Sequence, residues 1–210
     1  VGTQWGTRFY PTISGVARSL NYYPIEDEKP EEGVVSLALG LGKYIVDGGL
    51  TLRVCPYHPT KVLQTKTMDM TLRETQTSFY ALDLKNKGEN FSLDDGFNLL
   101  KLPIKEAEKN DALQFIASTY DPFNMEIQDG VYPIGRKLIT FANILKREDF
   151  PLARILQLAQ EYGQNEMHRP VEIEFAVTLD AKEKTGTFYL LQVRPMVDVK
   201  ADLSEDLNLI

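Results

Sequence analysis

Two apolar-rich runs separated by a short polar gap constrain this chain more than any other stretch. Residues 171–177 alternate: Val171, Ile173, Phe175 and Val177 occupy one phase, Glu172 and Glu174 the other. Residues 187–195 include Phe188, Tyr189, Leu190, Leu191 and Val193 and end at Pro195. Both runs are rich in β-branched and aromatic side chains and read as strands. The gap, 178–186, holds Asp180, Lys182, Glu183, Lys184 and Gly186, which is turn chemistry. A β-hairpin is therefore expected. Successive strand residues point to opposite faces, so Glu172 and Glu174 share one face, and Gln192 and Arg194 share a face of the second strand. Pairing around the loop brings Glu174 close to Gln192, with Arg194 within reach. Two carboxylates, an amide oxygen and a guanidinium on one face suit Mg2+ with phosphate, because hard cations take oxygen ligands and Arg clamps phosphate oxygens. A solvated strand face with one cross-strand ion pair fits the same spacing, and spacing alone favours that simpler reading.

Two further stretches near the start carry recognisable chemistry. Residues 13–21 (Ile13, Ser14, Gly15, Val16, Ala17, Arg18, Ser19, Leu20, Asn21) read as a strand, with Gly15 marking close backbone approach. Residues 33–49 read as a strand, a Gly40-Leu41-Gly42 turn, a short helix and a stop at Gly48-Gly49. A Gly-x-Gly turn entering a helix can offer backbone N–H groups and a positive helix end to an anion, although most such turns are simply tight.

Together these residues resemble the ATP-binding domain of the phosphoenolpyruvate synthase and pyruvate, phosphate dikinase family. Glu172-Ile173-Glu174-Phe175 is similar to that family's acidic-Ile-Glu-aromatic strand, and Leu191-Gln192-Val193-Arg194-Pro195 to its Leu-Gln-x-Arg-Pro. Ser14-Gly15-Val16-Ala17 resembles one of its strands, and Gly40-Leu41-Gly42 its Gly-Leu-Gly segment, which lines the nucleotide site. The resemblance covers residues 13–61 and roughly 150–195. It implies an α+β fold, an ATP-grasp-like lobe with a largely antiparallel sheet and packed helices. It implies that Glu174 and Gln192 ligate Mg2+ on the ATP phosphates, with Glu172 supporting the metal. Arg194 then contacts the transferring phosphoryl group as the catalytic residue, and Gly40 and Gly42 line the nucleotide site. The activity implied is ATP-dependent phosphoryl transfer to a carrier histidine on another domain. Two positions depart from the pattern: Lys43 stands where the family has Glu, and Arg18 where it has an aromatic or apolar residue. They keep open a second reading, a degenerate scaffold or nucleotide-sensing lobe. Related dikinases with another final acceptor share the same module.

The family's N-terminal lobe, its phosphohistidine domain with a Thr-x-His motif and its pyruvate-binding barrel have no counterpart in the sequence. Neither His58 nor His168 sits in such a motif; both read as loop or turn residues, His58 as an exposed one. The chain starts at Val1 and is expected to be a fragment, inactive when isolated, with residues 1–197 forming the C-terminal lobe. Residues from about 64 to 130 are expected to be an elaboration unmatched in the family, and 198–210 a linker towards a missing downstream domain.

The rest of the chain is expected to supply scaffold. Residues 22–33 read as a loop with a solvated charge run, and 50–66 as strand broken by a turn at Cys55-Pro56-Tyr57-His58-Pro59. Residues 75–84 and 99–103 read as strands, with a polar loop at 85–95 between them. Residues 104–120 show the spacing of an amphipathic helix whose stripe includes Ala107, Ala112, Leu113, Phe115, Ile116 and Ala117. Residues 131–145 read as a strand or strand pair, and 150–163 as a helix with Pro151 in its first turn and Gly163 as its stop.

Composition bounds the partners. The chain has 210 residues and a net charge of −7, with an isoelectric point near 5.0. That argues against nucleic acid and anionic membranes as partners, but not against ATP, which needs only a local positive field. The one cysteine, Cys55, excludes an internal disulfide and fits a reducing cytoplasm. No apolar run approaches the ~20 residues of a membrane span.

Overall fold

The computed structural model describes residues 1–85 and 98–196. The linker expected at 198–210 and nearly all of the loop expected at 85–95 lie outside them. The fold is α+β, with three sheets paired antiparallel throughout. In chain order the strands are β1 (Thr3–Trp5), β2 (Arg8–Tyr10), β3 (Ile13–Arg18), β4 (Val34–Ala38), β5 (Leu52–Val54), β6 (Ser78–Asp83), β7 (Leu99–Pro103), β8 (Ala117–Asp121), β9 (Glu126–Asp129), β10 (Arg136–Ile139), β11 (Val171–Asp180) and β12 (Thr185–Pro195). The α-helices are α1 (Lys43–Val46), α2 (Met68–Glu74), α3 (Ala142–Arg147) and α4 (Leu152–Met167). None is long and apolar enough to cross a membrane.

The central sheet has the order β12-β11-β3-β4-β5. It joins the expected hairpin to the strand at 13–18 and the one entering the glycine turn. One face is apolar: Ile13, Ala17, Val35, Leu37, Leu52, Val54, Ile173, Phe175 and Val177 are all buried there. The amphipathic helix α4 covers it, burying Leu152 and Leu156. A side chain at Gly163 would meet Val171, Ile173 and Val193. Gly163 is thus a point of close helix–sheet approach and not the stop expected; α4 runs on to Met167 and ends at His168 in the left-handed region, φ 53°. The remaining strands form a four-stranded sheet, β1-β2-β6-β7, and a three-stranded sheet, β10-β8-β9.

Three other expectations fail locally. Residues 104–120 form two short 3-10 turns, Ile104–Lys109 and Asp111–Phe115, and then enter β8. Asn110 separates the turns because its side-chain oxygen accepts the Ala112 N–H at 2.8 Å, a bond that competes with helix propagation. The apolar stripe is still core, since Ala107, Ala112, Leu113, Ile116 and Ala117 are buried. Residues 131–145 contribute only the four-residue β10 and then turn into α3 at Phe141, held at φ 53°. The strand expected to resume after the Cys55 turn is instead a short 3-10 turn, Leu63–Thr65, followed by α2.

The acidic loop at 22–33 is not simply solvated. Glu28 is 7% exposed, accepts from Asn21 Nδ2 at 3.1 Å and pairs with Arg53 at 3.0 Å. His58 is a turn residue, but its side chain is only 23% exposed and its Nε2 lies 3.0 Å from Glu32 Oε2.

Candidate functional site

The face of the central sheet opposite α4 carries the polar phase of every strand. In an antiparallel ladder directly opposed residues share a face. The register sets Glu172 between Arg18 and Arg194, Glu174 between Val16 and Gln192, and Ala176 beside Ser14. Ser14 opposes Ala38, Val16 opposes Ser36, and Ser36 opposes Arg53. One face therefore displays Gln192 and Arg194, Glu172 and Glu174, Ser14 and Arg18, then Ser36 and Arg53.

The pairing of Glu174 with Gln192 matches the sequence expectation. It depends on an irregularity, because Gln192 opposes Glu174 while Leu190 opposes Phe175. Leu191 is the extra residue of a β-bulge, and a bulge re-aims side chains locally. It keeps Gln192 and Arg194 in phase with the two glutamates while the distal hairpin pairs tightly down to Asp180 and Thr185. Among the described residues no hydrogen bond or ion pair engages the Glu174 carboxylate or the Gln192 amide. Their oxygens form a hard-donor pair, half-buried on β11 and exposed on β12, which fits an oxygen-preferring cation such as Mg2+.

Glu172 is placed differently. It is 8% exposed. Its Oε2 accepts from Arg18 Nε at 2.7 Å and its Oε1 from Arg194 Nε at 2.9 Å, with a second contact from the same guanidinium. Burial by itself raises the Glu172 carboxyl, but the bonds and charges of Arg194 and Arg18 outweigh it and hold the group below the ordinary carboxylate range. A pocket lined by Arg18, Tyr22, Glu172, Arg194, Pro195 and Met196 opens at this end of the face. Arg18, off-pattern in the sequence, is thus part of the cluster. The alternation Ser14, Val16, Arg18 was the signal available for it; its partner, 154 residues away, was not.

The glycine turn closes the other end. Gly40 sits at φ 89°, and a side chain there would strike the Tyr80 carbonyl and Phe79. Ser14 Oγ donates to the Gly40 carbonyl at 2.7 Å, and Gly42 lies against Ser14 as the N-cap of α1. Ser14 is one ladder rung beyond Val16, the partner of Glu174, a step of two residues or roughly 7 Å along the strand. The turn's Leu41 N–H is taken by the Tyr80 carbonyl at 3.0 Å. Lys43 pairs with Asp47 at 3.0 Å, so its charge is directed along α1. Gly40, Gly42, Glu172, Glu174, Gln192 and Arg194 therefore all belong to one sheet face and its rim.

A family model described as pyruvate phosphate dikinase, AMP/ATP-binding domain, matches residues 5–207. The matched range includes residues 64–130. No curated protein matches the chain.

Proposed function

Because this chain belongs to the pyruvate phosphate dikinase AMP/ATP-binding domain family, we propose that the polar face of its central sheet holds Mg–ATP for transfer of a phosphoryl group to a carrier histidine. The observation that supports this reading most directly is the register that sets Glu174 opposite Gln192, with Glu172 and Arg194 on the adjacent pair. When bound, Mg2+ would neutralise and orient the nucleotide phosphates.

Each residue then has a physical task. Glu174 and Gln192 hold the cation through their oxygens. Arg194 faces the transferring group and stabilises the charge that develops on it, the kind of contribution whose loss costs on the order of 10²–10³ in rate. Glu172 supports the metal centre through Arg194: its buried carboxylate fixes the guanidinium, so little orientation entropy is lost when a phosphate arrives. Gly40 and Gly42 allow the nucleotide to approach the backbone at the rim. In this reading residues 1–197 are the C-terminal lobe of an ATP-grasp unit with an elaboration at 64–130. A second lobe supplies further cations to the phosphates, phosphohistidine and pyruvate-binding domains complete a cytoplasmic parent enzyme, and the lobe alone is inactive.

The rival reading is a nucleotide-sensing or scaffold lobe. It is favoured by Lys43, which reverses a charge beside the glycine turn, and by Arg18, which shares the Glu172 carboxylate with Arg194. Calorimetric titration of the parent protein with ATP, with and without Mg2+, separates the two. Metal-dependent binding that Glu174→Ala abolishes, together with lost turnover in an intact fold, supports the catalytic reading. Turnover that survives the substitution sinks it, and metal-dependent binding without turnover in the wild type favours the sensor.

A further inference from the structure

A second group of metal-ligand atoms lies away from the polar face, at the edge of the central sheet. Cys55 follows β5 directly and opens a tight turn in which His58 N–H donates to the Cys55 carbonyl at 3.0 Å. The spacing Cys-x-x-His places a sulfur and an imidazole on the inside of one turn. Glu32 comes from the 3-10 turn Pro30–Glu32 that precedes β4. Its Oε2 lies 3.0 Å from His58 Nε2 and 4.0 Å from Cys55 Sγ. All three donor atoms lie within 4.8 Å of one another.

We propose that Glu32, Cys55 and His58 form a binding site for a thiophilic divalent cation of the zinc class, distinct from the oxygen-ligated position at Glu174 and Gln192. Three arguments support it. The donor set combines a thiolate, an imidazole and a carboxylate, which selects zinc-like ions over Mg2+ or Ca2+. The two separations from Glu32 suit a shared ion: a tetrahedral site with bonds of about 2.0–2.3 Å holds its donors roughly 3.3–3.7 Å apart, and the observed 3.0 and 4.0 Å bracket that range. The turn is also preset, because the His58 N–H bond to the Cys55 carbonyl at 3.0 Å holds both donors on one turn before an ion arrives.

The site is tethered on all sides. Lys29 N–H donates to Glu32 Oε2 at 2.8 Å, fixing that carboxylate. Gln157 of α4 donates to the Pro56 carbonyl at 2.9 Å, fixing the turn. Cys55 is fully buried, while His58 keeps partial exposure, so an ion enters from the His58 side and retains one position for water. Bound there, it staples the turn before β4 to the turn after β5. Since a metal that binds only the folded chain adds to stability, the site acts as a structural clamp on the outer half of the central sheet.

Cobalt(II) titration of the metal-free 210-residue chain tests this. Cys55 is the only cysteine, so a thiolate-to-cobalt charge-transfer band reports this position alone. The expected result is a saturable band at one equivalent, with tetrahedral visible bands, displaced by Zn2+ but not by excess Mg2+, and a higher melting temperature with Zn2+. The band should vanish in Cys55→Ser and weaken at least tenfold in apparent affinity in His58→Gln, a partly exposed position whose replacement preserves the fold. Glu174→Ala should leave it unchanged, which separates this site from the nucleotide reading. Absence of the band in the wild-type chain, or its full retention in His58→Gln, would overturn the proposal.

Discussion

Gly15 lies beneath the ring of Phe175, and a β-carbon built on it would come within 2.2 Å of that ring. The position exists because two strands and an aromatic side chain share one layer, and Phe175 in turn stacks on Phe188 with centroids 5.1 Å apart. Gly15→Ala should lower stability by about 1–3 kcal/mol through overpacking, and Phe175→Leu in the same chain should recover part of the loss; urea unfolding measures both. Glu172 shows the polar counterpart. Its folded-state pKa is lowered from an ordinary value of 4.5, so its contribution to stability is complete above that value and fades as pH falls through the lowered one. In Glu172→Gln the acid limb of the pH–stability curve should be shallower. Stability at neutral pH should drop by about 1–2 kcal/mol, because two half-exposed guanidiniums lose a charged acceptor.

The ends of the helices and strands illustrate how side chains and backbone geometry divide the work. His168 ends α4 in the left-handed region, a conformation that costs a non-glycine residue about 1 kcal/mol. His168→Gly should therefore raise the unfolding free energy by up to about 1 kcal/mol in chemical denaturation. The helix itself is amphipathic and was legible in the sequence, as was the hairpin, whose period-two pattern survives the bulge at Leu191. Residues 104–120 were not. Their apolar spacing satisfies a helix, yet Asn110 caps its own turn and the run from Ala117 to Asp121 pairs with β9 and β10. Periodicity reports which side chains are buried more securely than it reports the backbone that buries them.

The assembly is closed by contacts between distant parts of the chain. β3 pairs with β11 across more than 150 residues of sequence, and a hydroxyl seals each end of that ladder. Val171 N–H donates to Ser19 Oγ at 2.8 Å, and Leu179 N–H donates to Thr12 Oγ1 at 3.2 Å. Both hydroxyl residues are buried. Thr12→Val and Ser19→Ala should each cost about 1–3 kcal/mol, since each leaves a buried N–H without an acceptor. The sites are about seven residues apart on an extended strand, over 20 Å, so the double variant should lose close to the sum of the two. A total well below the sum would show that the two ends are coupled through the strand.

The residues of the polar face could be read from the chain because alternation is local: a strand puts Glu172 and Glu174 on one side whatever the remainder does, and a short loop leaves the hairpin few registers. The glycine turn followed from an equally short-range pattern, and the α+β class from the resemblance that these motifs carry. The company those residues keep was not local. Arg18 reaches Glu172 only because β3 inserts between β4 and β11, and Glu32 meets Cys55 and His58 only because two turns flank the same sheet edge. Neither encounter leaves a periodic trace, since contacts between residues separated by 20 to 150 positions are set by strand order. Phe141 and His168 were illegible for a related reason. Phe141 takes its left-handed backbone as a fully buried residue at the start of α3, and His168 takes the same conformation where α4 ends, in both cases against the intrinsic preference of a non-glycine residue.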